Sequence, residues 1–163
     1  MKKKLLFFLL LASSNLFSQE INIGAGVGSG LADNFKVLTY NLNFEYKPER
    51  LDISLNFDPV IYSGNNRSIL TTPMYIKAIV GNKLKVCPSI GGFVRFIDGD
   101  NNYGWLVGLG LELPLGHFQP YFKAEYDMDY WKSEHPLHSG GVIYETQKSP
   151  SAWLSVGLKY RLL

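Results

Sequence analysis

The feature that most constrains this chain is a regular alternation of apolar residues with small or polar ones. It is clearest at the C-terminus, where one parity carries Ala152, Leu154, Val156, Leu158, Tyr160 and Leu162. The other parity there carries Ser155, Gly157, Lys159 and Arg161. Successive side chains of a β-strand point to opposite faces, so a period of two indicates strands with one apolar and one polar face. Seven such stretches, and an eighth near the start, predict an all-β fold.

The pattern predicts eight strands and places a run of glycines on a polar face. The predicted strands are residues 20–30, 36–47, 50–62, 73–82, 84–97, 104–113, 119–131 and 151–163. In the first strand Gly24, Gly26 and Gly28 recur every second residue, as expected where a lumen is too narrow for larger side chains. Their spacing differs from the Gly-x-Gly-x-x-Gly of a nucleotide-binding loop. Four apolar residues fall on the polar parity: Val60, Ile79, Phe93 and Leu106.

Alternation alone leaves open which face lies inside a closed barrel. A soluble lipocalin-like barrel has the same period with its apolar face inward. Here the apolar parity carries long aliphatic and aromatic side chains on every strand, whereas an eight-stranded barrel has an interior only just wide enough to be filled. The other parity is rich in Gly, Ser and Asn and carries charges of both signs. The sequence therefore favours an antiparallel up-and-down transmembrane barrel with its apolar face toward lipid.

Aromatic residues and loop lengths support the same interpretation. One predicted rim carries Tyr62, Tyr103, Trp105, Tyr130 and Trp131, and the other carries Phe44, Tyr46, Phe118, Phe122 and Tyr160. Membrane barrels have such aromatic girdles at both interfaces. The connections after the second, fourth and sixth strands are short, whereas residues 63–72 and 132–150 form long ones. Short periplasmic turns and longer outer loops are typical of outer-membrane barrels.

The chain begins with a predicted export signal. Lysines at positions 2–4 precede an apolar run over residues 5–12, and a small residue, Ser18, lies at the expected cleavage site, which is the pattern of a secretory signal peptide. Cleavage after Ser18 would leave residues 19–163 as one barrel domain. Of the 16 basic residues 13 would remain against 14 acidic ones, so no nucleic-acid partner is implied. The single cysteine, Cys87, can form no internal disulfide and is interpreted as a small residue of the barrel wall.

The polar parity would line the lumen with charged side chains. They are Glu45, Asp52, Asp58, Lys77, Lys85, Arg95, Glu112, Lys123, Glu125, Asp127, Asp129, Lys159 and Arg161. An isolated buried charge is very costly, so these groups must be paired or hydrated. We interpret them as a salt-bridged core that plugs the barrel, with a narrow ion or water path as the alternative. Pairs across neighbouring strands are expected, with residues 123–129 beside Lys159 and Arg161.

The remaining candidate motifs predict no catalytic residue, metal site or cofactor. His135, His138 and Ser139 lie near acidic residues, as in a Ser-His-acid site, but in a glycine-flanked loop rather than on a strand wall. Two loop histidines without a third fixed ligand seldom hold a metal ion. Residues 98–102 have the composition of a calcium loop but lack its later bidentate Glu, and turn chemistry explains them.

With its final strand in view, the chain resembles the small eight-stranded outer-membrane barrels of Gram-negative bacteria. These include outer membrane protein X, the transmembrane domain of outer membrane protein A and the outer membrane protein β-barrel domain group. The ending from Val156 to Leu162 is similar to the family's terminal assembly signal, in which outward apolar residues alternate up to a final aromatic. Here Leu162 takes the place of that aromatic and Leu163 follows it.

The leading hypothesis is a non-enzymatic outer-membrane barrel with a structural or surface-interaction role. The alternatives are a narrow ion or small-solute channel, a lipid-modifying enzyme, and a soluble periplasmic barrel that binds an apolar ligand. The resemblance implies location in the outer membrane of a Gram-negative bacterium. Expected partners are outer-membrane lipid, the export and barrel-assembly machinery, and an extracellular partner at loops 63–72 and 132–150.

Overall fold

The computed structural model describes residues 19–30, 37–49, 51–64, 67–97, 100–136 and 142–163. Their regular structure consists of nine β-segments: β1 (Gln19–Gly30), β2 (Leu38–Pro48), β3 (Ile53–Phe57), β4 (Val60–Gly64), β5 (Arg67–Ala78), β6 (Lys85–Ile97), β7 (Asp100–Glu112), β8 (Phe118–Pro136) and β9 (Val142–Arg161). Within those residues no helix has the length and apolar character that crossing a membrane requires. The predicted signal peptide, residues 1–18, lies outside the described residues.

The segments form one antiparallel sheet that closes into a barrel. β9 pairs with β1 from Arg161 opposite Asn22 to Trp153 opposite Gly30, so the last strand meets the first. Segments β3 and β4 are two halves of one strand, because both pair with β2 and with β5 in an unbroken register. The fold is therefore the predicted eight-stranded antiparallel barrel. Closure gives each strand a neighbour on both sides, so the backbone N–H and C=O groups of the ring can form hydrogen bonds without water, as a lipid environment requires.

Two prolines remove backbone hydrogen bonds at the point where β3 ends and β4 begins. The Leu42 N–H donates to the Pro59 carbonyl at 3.0 Å, but proline has no N–H to return to Leu42. On the other side, the Asp58 N–H donates to the Pro73 carbonyl at 3.1 Å, and again no bond can return. The strand is interrupted at Asp58 and Pro59 for this reason, without any change of register.

The strand registers give the ring a shear of ten residues. The β2–β3 register, continued by one residue beyond the pair Tyr46 and Leu55, sets Lys47 opposite Ser54. With that step, the registers lead once round the barrel from Glu20 through Lys47, Ser54, Lys77, Ser89, Gly108, Glu125 and Trp153 back to β1 at Gly30. With strands about 4.8 Å apart and a rise of about 3.3 Å per residue, this shear tilts them by about 40° from the barrel axis. Strands so tilted cross the hydrocarbon core in about 9–11 residues, and β2 has 11.

Side chains follow the predicted alternation, with the apolar face outside. In β2, Leu42 and Phe44 are 54% and 46% exposed, whereas Asn43 between them is buried. Two residues that break the alternation, Phe93 and Leu106, lie inside the lumen and form a small apolar cluster with Tyr75. The exposed apolar side chains on the outer face of the strands are here called the apolar belt. They exclude a soluble barrel with an apolar interior, because a monomer in water rarely exposes so large a continuous apolar surface.

Aromatic side chains form outward girdles near both ends of the barrel. Tyr103 and Tyr130 stack with ring centroids 6.1 Å apart. At the other end Phe118 packs edge-on against Tyr160 at 5.3 Å. Tyr62 is a correction to the predicted girdle: its parity on β4 is the inward one, and its side chain is buried in the lumen.

The start of β1, the end of β9 and the short turns lie together at one end of the barrel, here called the terminal end. Its turns include residues 79–84 and 113–117, and Glu49, Leu51 and Asp52 lie between β2 and β3 at the same end. The other end is called the loop end. The predicted long loop 63–72 is wrong, because β4 continues to Gly64 and β5 begins at Arg67. The predicted loop 132–150 is likewise mostly strand, with residues 137–141 outside the described part. Residues 63–68, 132–135 and 145–149 are polar or glycine on both parities, so alternation did not mark these segments as strands.

Candidate functional site in the barrel lumen

Charged and polar side chains lie across the lumen in three layers along the barrel axis. The terminal layer, nearest the terminal end, consists of Glu45, Lys77, Glu112 and Lys159. The middle layer consists of Asp58, Tyr75, Lys123 and Glu125. The loop layer, nearest the loop end, consists of Arg95, Asp127 and Asp129. All are on the inward parity of their strands, so the polar face of the alternation places them there.

The terminal layer is a closed ring of alternating charges. The Lys77 Nζ lies 2.6 Å from Glu45 and 2.7 Å from Glu112. The Lys159 Nζ lies 2.7 Å from Glu45 and 2.6 Å from Glu112. Gln119 donates a further hydrogen bond to Glu112. Because the four charged residues come from β2, β5, β7 and β9, the ring spans the lumen, and its formal charge is zero.

The middle layer is centred on Lys123. Its Nζ lies 2.8 Å from Asp58 Oδ2 and 3.1 Å from Glu125 Oε2. It also lies 3.4 Å from the Tyr75 hydroxyl, which itself donates to Asp58 at 2.5 Å. Asn43 donates to the other Asp58 oxygen. The three ammonium protons of Lys123 are thus matched by three acceptors, and the layer carries two carboxylates against one cation.

The loop layer is built around one buried guanidinium. Arg95 binds Asp127 at 2.7 Å through one terminal nitrogen and Asp129 through the other. Its guanidinium carbon lies 5.3 Å from the centre of the Tyr62 ring and 4.9 Å from that of Phe93, which is cation–π distance. Arginine suits this position because its planar fork can bind two carboxylates while its faces stack on rings.

Tyr121 fills the lumen beside β1 and β9, which explains Gly26 on the first of these strands and Gly157 on the second. A Cβ on Gly26 would lie 2.3 Å from the Tyr121 hydroxyl oxygen, and one on Gly157 would lie 2.5 Å from it. The hydroxyl accepts a hydrogen bond from the Asn41 side chain at 2.8 Å. The Lys159 ammonium lies 5.4 Å from the centre of the ring. Any larger side chain at these glycines would displace the ring.

Two small cavities separate the layers. The terminal cavity, of about 10 Å³, lies between the terminal and middle layers and is lined in part by Asn43, Cys87 and Ser89. The loop cavity, of about 20 Å³, lies beyond Lys123 toward the loop end. A water molecule needs about 10–15 Å³ of such space, so each cavity accommodates about one water rather than a continuous column.

Two predicted lumen residues lie elsewhere. Asp52 is exposed in the turn that precedes β3, because the polar parity continues past the strand into a segment that encloses no lumen. Arg161 lies at the rim of the terminal end, where it pairs with Glu20 at 3.2 Å. Lys85 is buried at that same end of the barrel.

The predicted pairing between neighbouring strands is wrong for Lys159. Its backbone neighbour on β8 is Gln119, and its ammonium reaches across to β2 and β7 instead. The carboxylates of Asp127 and Asp129 pair with Arg95 on β6. Strand tilt is the physical reason, because it brings residues of non-adjacent strands to the same height in the lumen.

No metal or catalytic site is apparent in the part of the chain that the structure describes. Within the described ranges no group of three His, Cys, Asp or Glu is placed to hold a metal ion. Of the loop residues considered for catalysis, His138 and Ser139 lie outside the described residues.

A hairpin of β8 and β9 extends beyond the ring at the loop end. β8 last pairs with β7 at Tyr130, and β9 last pairs with β1 at Trp153, among the described residues. Past Tyr130, the pairings found among the described residues are those of the two strands with each other, over residues 131–136 and 142–147. We call these residues the projecting hairpin. Six residues of extended strand span about 20 Å, so the projecting hairpin reaches about that far past the last pairs with β7 and β1.

Twelve chains of solved structures match this fold. Three of them are outer-membrane or surface barrel proteins. The N-terminal β-barrel domain of Pseudomonas aeruginosa OprF aligns with a TM-score of 0.59 at 14% identity, covering 88% of this chain and 97% of that one. A major outer membrane protein from Thermus thermophilus aligns at 0.58 and 11%, covering 88% and 99%. Neisserial surface protein A aligns at 0.53 and 13%, covering 88% and 96%.

A scan against protein families and a search of curated proteins found no match in sequence. The likeness therefore lies in the architecture: strand number, closure, and an apolar outside around a polar lumen. The chain has the fold of the small eight-stranded outer-membrane β-barrels.

Proposed function

We propose that this chain is a non-enzymatic protein of a Gram-negative outer membrane, whose lumen is a structural plug and whose activity lies in surface interaction. The observation that carries the proposal is the terminal layer, where four buried charges from four strands neutralise one another across the whole lumen. Such a ring holds the wall together and leaves no passage. The apolar belt supports residence in lipid, as does the likeness to solved outer-membrane proteins.

Conduction would require the layers to open in series. An ion moving through the lumen would have to displace the Lys77 and Lys159 contacts, then the Lys123 contacts, and then those of Arg95. Removing one partner from a buried pair costs about 3–5 kcal/mol, because a charge is left unpaired in a low-dielectric interior. Three such layers make spontaneous opening rare.

The projecting hairpin supports the surface-interaction role. Over residues 131–136 and 142–146 its strand edges pair with no other strand among the described residues, so the outward N–H and C=O groups there are placed for an added strand. Exposed strand edges are templates for β-augmentation by an extended peptide. The extracellular partner is therefore proposed to bind at residues 131–136 and 142–147 rather than at the tight β4–β5 hairpin.

Conductance of the purified, folded barrel in a planar lipid bilayer tests the plug. We expect no single-channel steps from the natural sequence. The double substitution Glu45→Ala with Lys159→Ala removes one anion and one cation from the terminal layer, and serves as the matched variant for an opened layer. Well-resolved steps from the unaltered chain would reject the plug and favour the channel.

Membrane residence has a separate test. We expect the chain to fractionate with the outer membrane, to require detergent for extraction, and to migrate faster on a gel before boiling than after it. Recovery in the soluble fraction without detergent would contradict the proposed location.

The proposed absence of enzymatic activity is tested on lipid A. Lipid A from cells with and without the protein should have identical mass spectra, and a difference would indicate an enzyme.

A further inference from the structure

The middle layer has an excess of negative charge that its own side chains do not balance. Lys123 is the one cation that pairs with Asp58 and Glu125 among the described residues. The terminal layer has two cations for two carboxylates, and the loop layer pairs Arg95 with two carboxylates. An uncompensated buried charge is costly, so a further positive charge beside this layer would stabilise the fold. One unit of charge is enough to bring the layer to zero.

Unpaired oxygen atoms point to where that charge would lie. Asn41 Oδ1, Glu125 Oε1 and Ser155 Oγ have no hydrogen-bond partner, and all three residues line the loop cavity. Asn41 is 6% exposed, and its amide nitrogen is already bound to Tyr121, so its oxygen is the buried polar atom of this side chain that still lacks a partner. Lys123 cannot satisfy these oxygens, because its three protons go to other acceptors.

We propose that the loop cavity is a binding site for one sodium ion, coordinated by Glu125 Oε1, Asn41 Oδ1 and Ser155 Oγ. Hard cations prefer carboxylate, carbonyl and hydroxyl oxygens, which are the groups present. A single carboxylate with neutral oxygens suits a monovalent ion, and a divalent ion would overcompensate the layer. The inference goes beyond the proposed function, because a plug can exist with or without the ion.

The walls of the cavity are shaped for a small occupant. Tyr62 and Trp153 both line it, and their rings meet edge-on with centroids 4.7 Å apart. A Cβ on Gly28 would lie 2.7 Å from Thr39 Oγ1 and 2.9 Å from Ser155 Cβ, so the glycine leaves room where these two residues approach. The volume of about 20 Å³ admits a bare ion, or an ion with one water, but no organic ligand.

Thermal unfolding of the folded barrel in a non-ionic detergent tests the site. The unfolding midpoint is measured by circular dichroism in sodium chloride and in choline chloride at equal ionic strength. A ligand bound only by the folded state raises the midpoint, here by about 4 °C at saturating sodium. Glu125→Gln should abolish the difference between the salts. Glu20→Gln, at the rim, is the matched control and should retain it.

Three results would overturn the proposal. Equal midpoints of the unaltered chain in the two salts would mean that water alone fills the cavity. A Glu125→Gln variant that is as stable in either salt as the unaltered chain is in sodium would mean that Glu125 carries a proton instead. Ser155→Ala, which retains the charge, should require more sodium for half of the shift, and an unchanged requirement would remove Ser155 Oγ from the site. None of these results alters the conductance expected of the plug.

Discussion

Lys159 ties together strands that are not neighbours in the barrel. It lies on β9, and its ammonium is bonded to Glu45 on β2 and to Glu112 on β7. Backbone hydrogen bonds hold each strand only to its two neighbours. Side chains that meet inside the lumen add a second set of constraints, which resist flattening of the ring.

Replacement of Lys159 by Met should destabilise the barrel strongly. Two carboxylates would then share Lys77 alone in a buried site, and breaking a buried ion pair costs about 3–5 kcal/mol. Arg161→Met is the matched control, because that pair with Glu20 is at the partly exposed rim and should cost less than about 1 kcal/mol. The free energy of unfolding in urea, with the barrel in lipid vesicles, measures both. Similar losses for the two variants would contradict the burial argument.

At the scale of the strand, Pro59 marks a weak point in the hydrogen-bond ladder. Pro59→Val supplies the missing N–H, which would donate to the Leu42 carbonyl opposite. We expect the free energy of unfolding to rise by about 1 kcal/mol, the typical net contribution of one hydrogen bond. The new amide at position 59 should also exchange slowly with deuterium, as other ladder amides do. Rapid exchange at that position would show that the strand does not close.

The strands within the apolar belt were predictable, whereas their extensions were not. Between Leu38 and Tyr46 one face meets lipid and the other the lumen, so the sequence must alternate. Past Tyr130 both faces of β8 leave that environment, and nothing in the composition distinguishes strand from loop. Asp52 is the converse case, since alternation continued where the strand had already ended.

The projecting hairpin should be dispensable for folding. Replacing residues 132–146 with a short glycine-containing turn removes pairing that involves β8 and β9 alone, and leaves the ring intact. The shortened chain should retain its heat-modifiable migration, with an unfolding free energy within about 1 kcal/mol of the full chain, as is usual for changes away from packed regions. Loss of barrel migration would mean that the hairpin takes part in closure.

At the scale of the whole molecule, the filling of the lumen by side chains follows from the combination of strand number and shear. A barrel of eight strands has an interior that side chains can fill. The residues at the inward-facing positions are mostly polar or charged, so the side chains that fill it are polar. The sequence could not show which charges meet, because partners such as Glu45 and Lys159 are 114 positions apart. Their meeting depends on the tilt of every strand between them.

Cys87 provides a natural probe of the plug, because it is the single thiol of the chain and lies 1% exposed beside the terminal cavity. A charged methanethiosulfonate reagent must pass the terminal or middle layer to reach it. We expect labelling of the folded barrel to be at least about a hundredfold slower than that of the urea-unfolded chain, because reaction waits for a rare opening. The double substitution Glu45→Ala with Lys159→Ala should accelerate labelling, while Glu20→Gln at the rim should not. Rapid labelling of the unaltered folded barrel, monitored by mass spectrometry, would show that the charged layers do not seal the lumen.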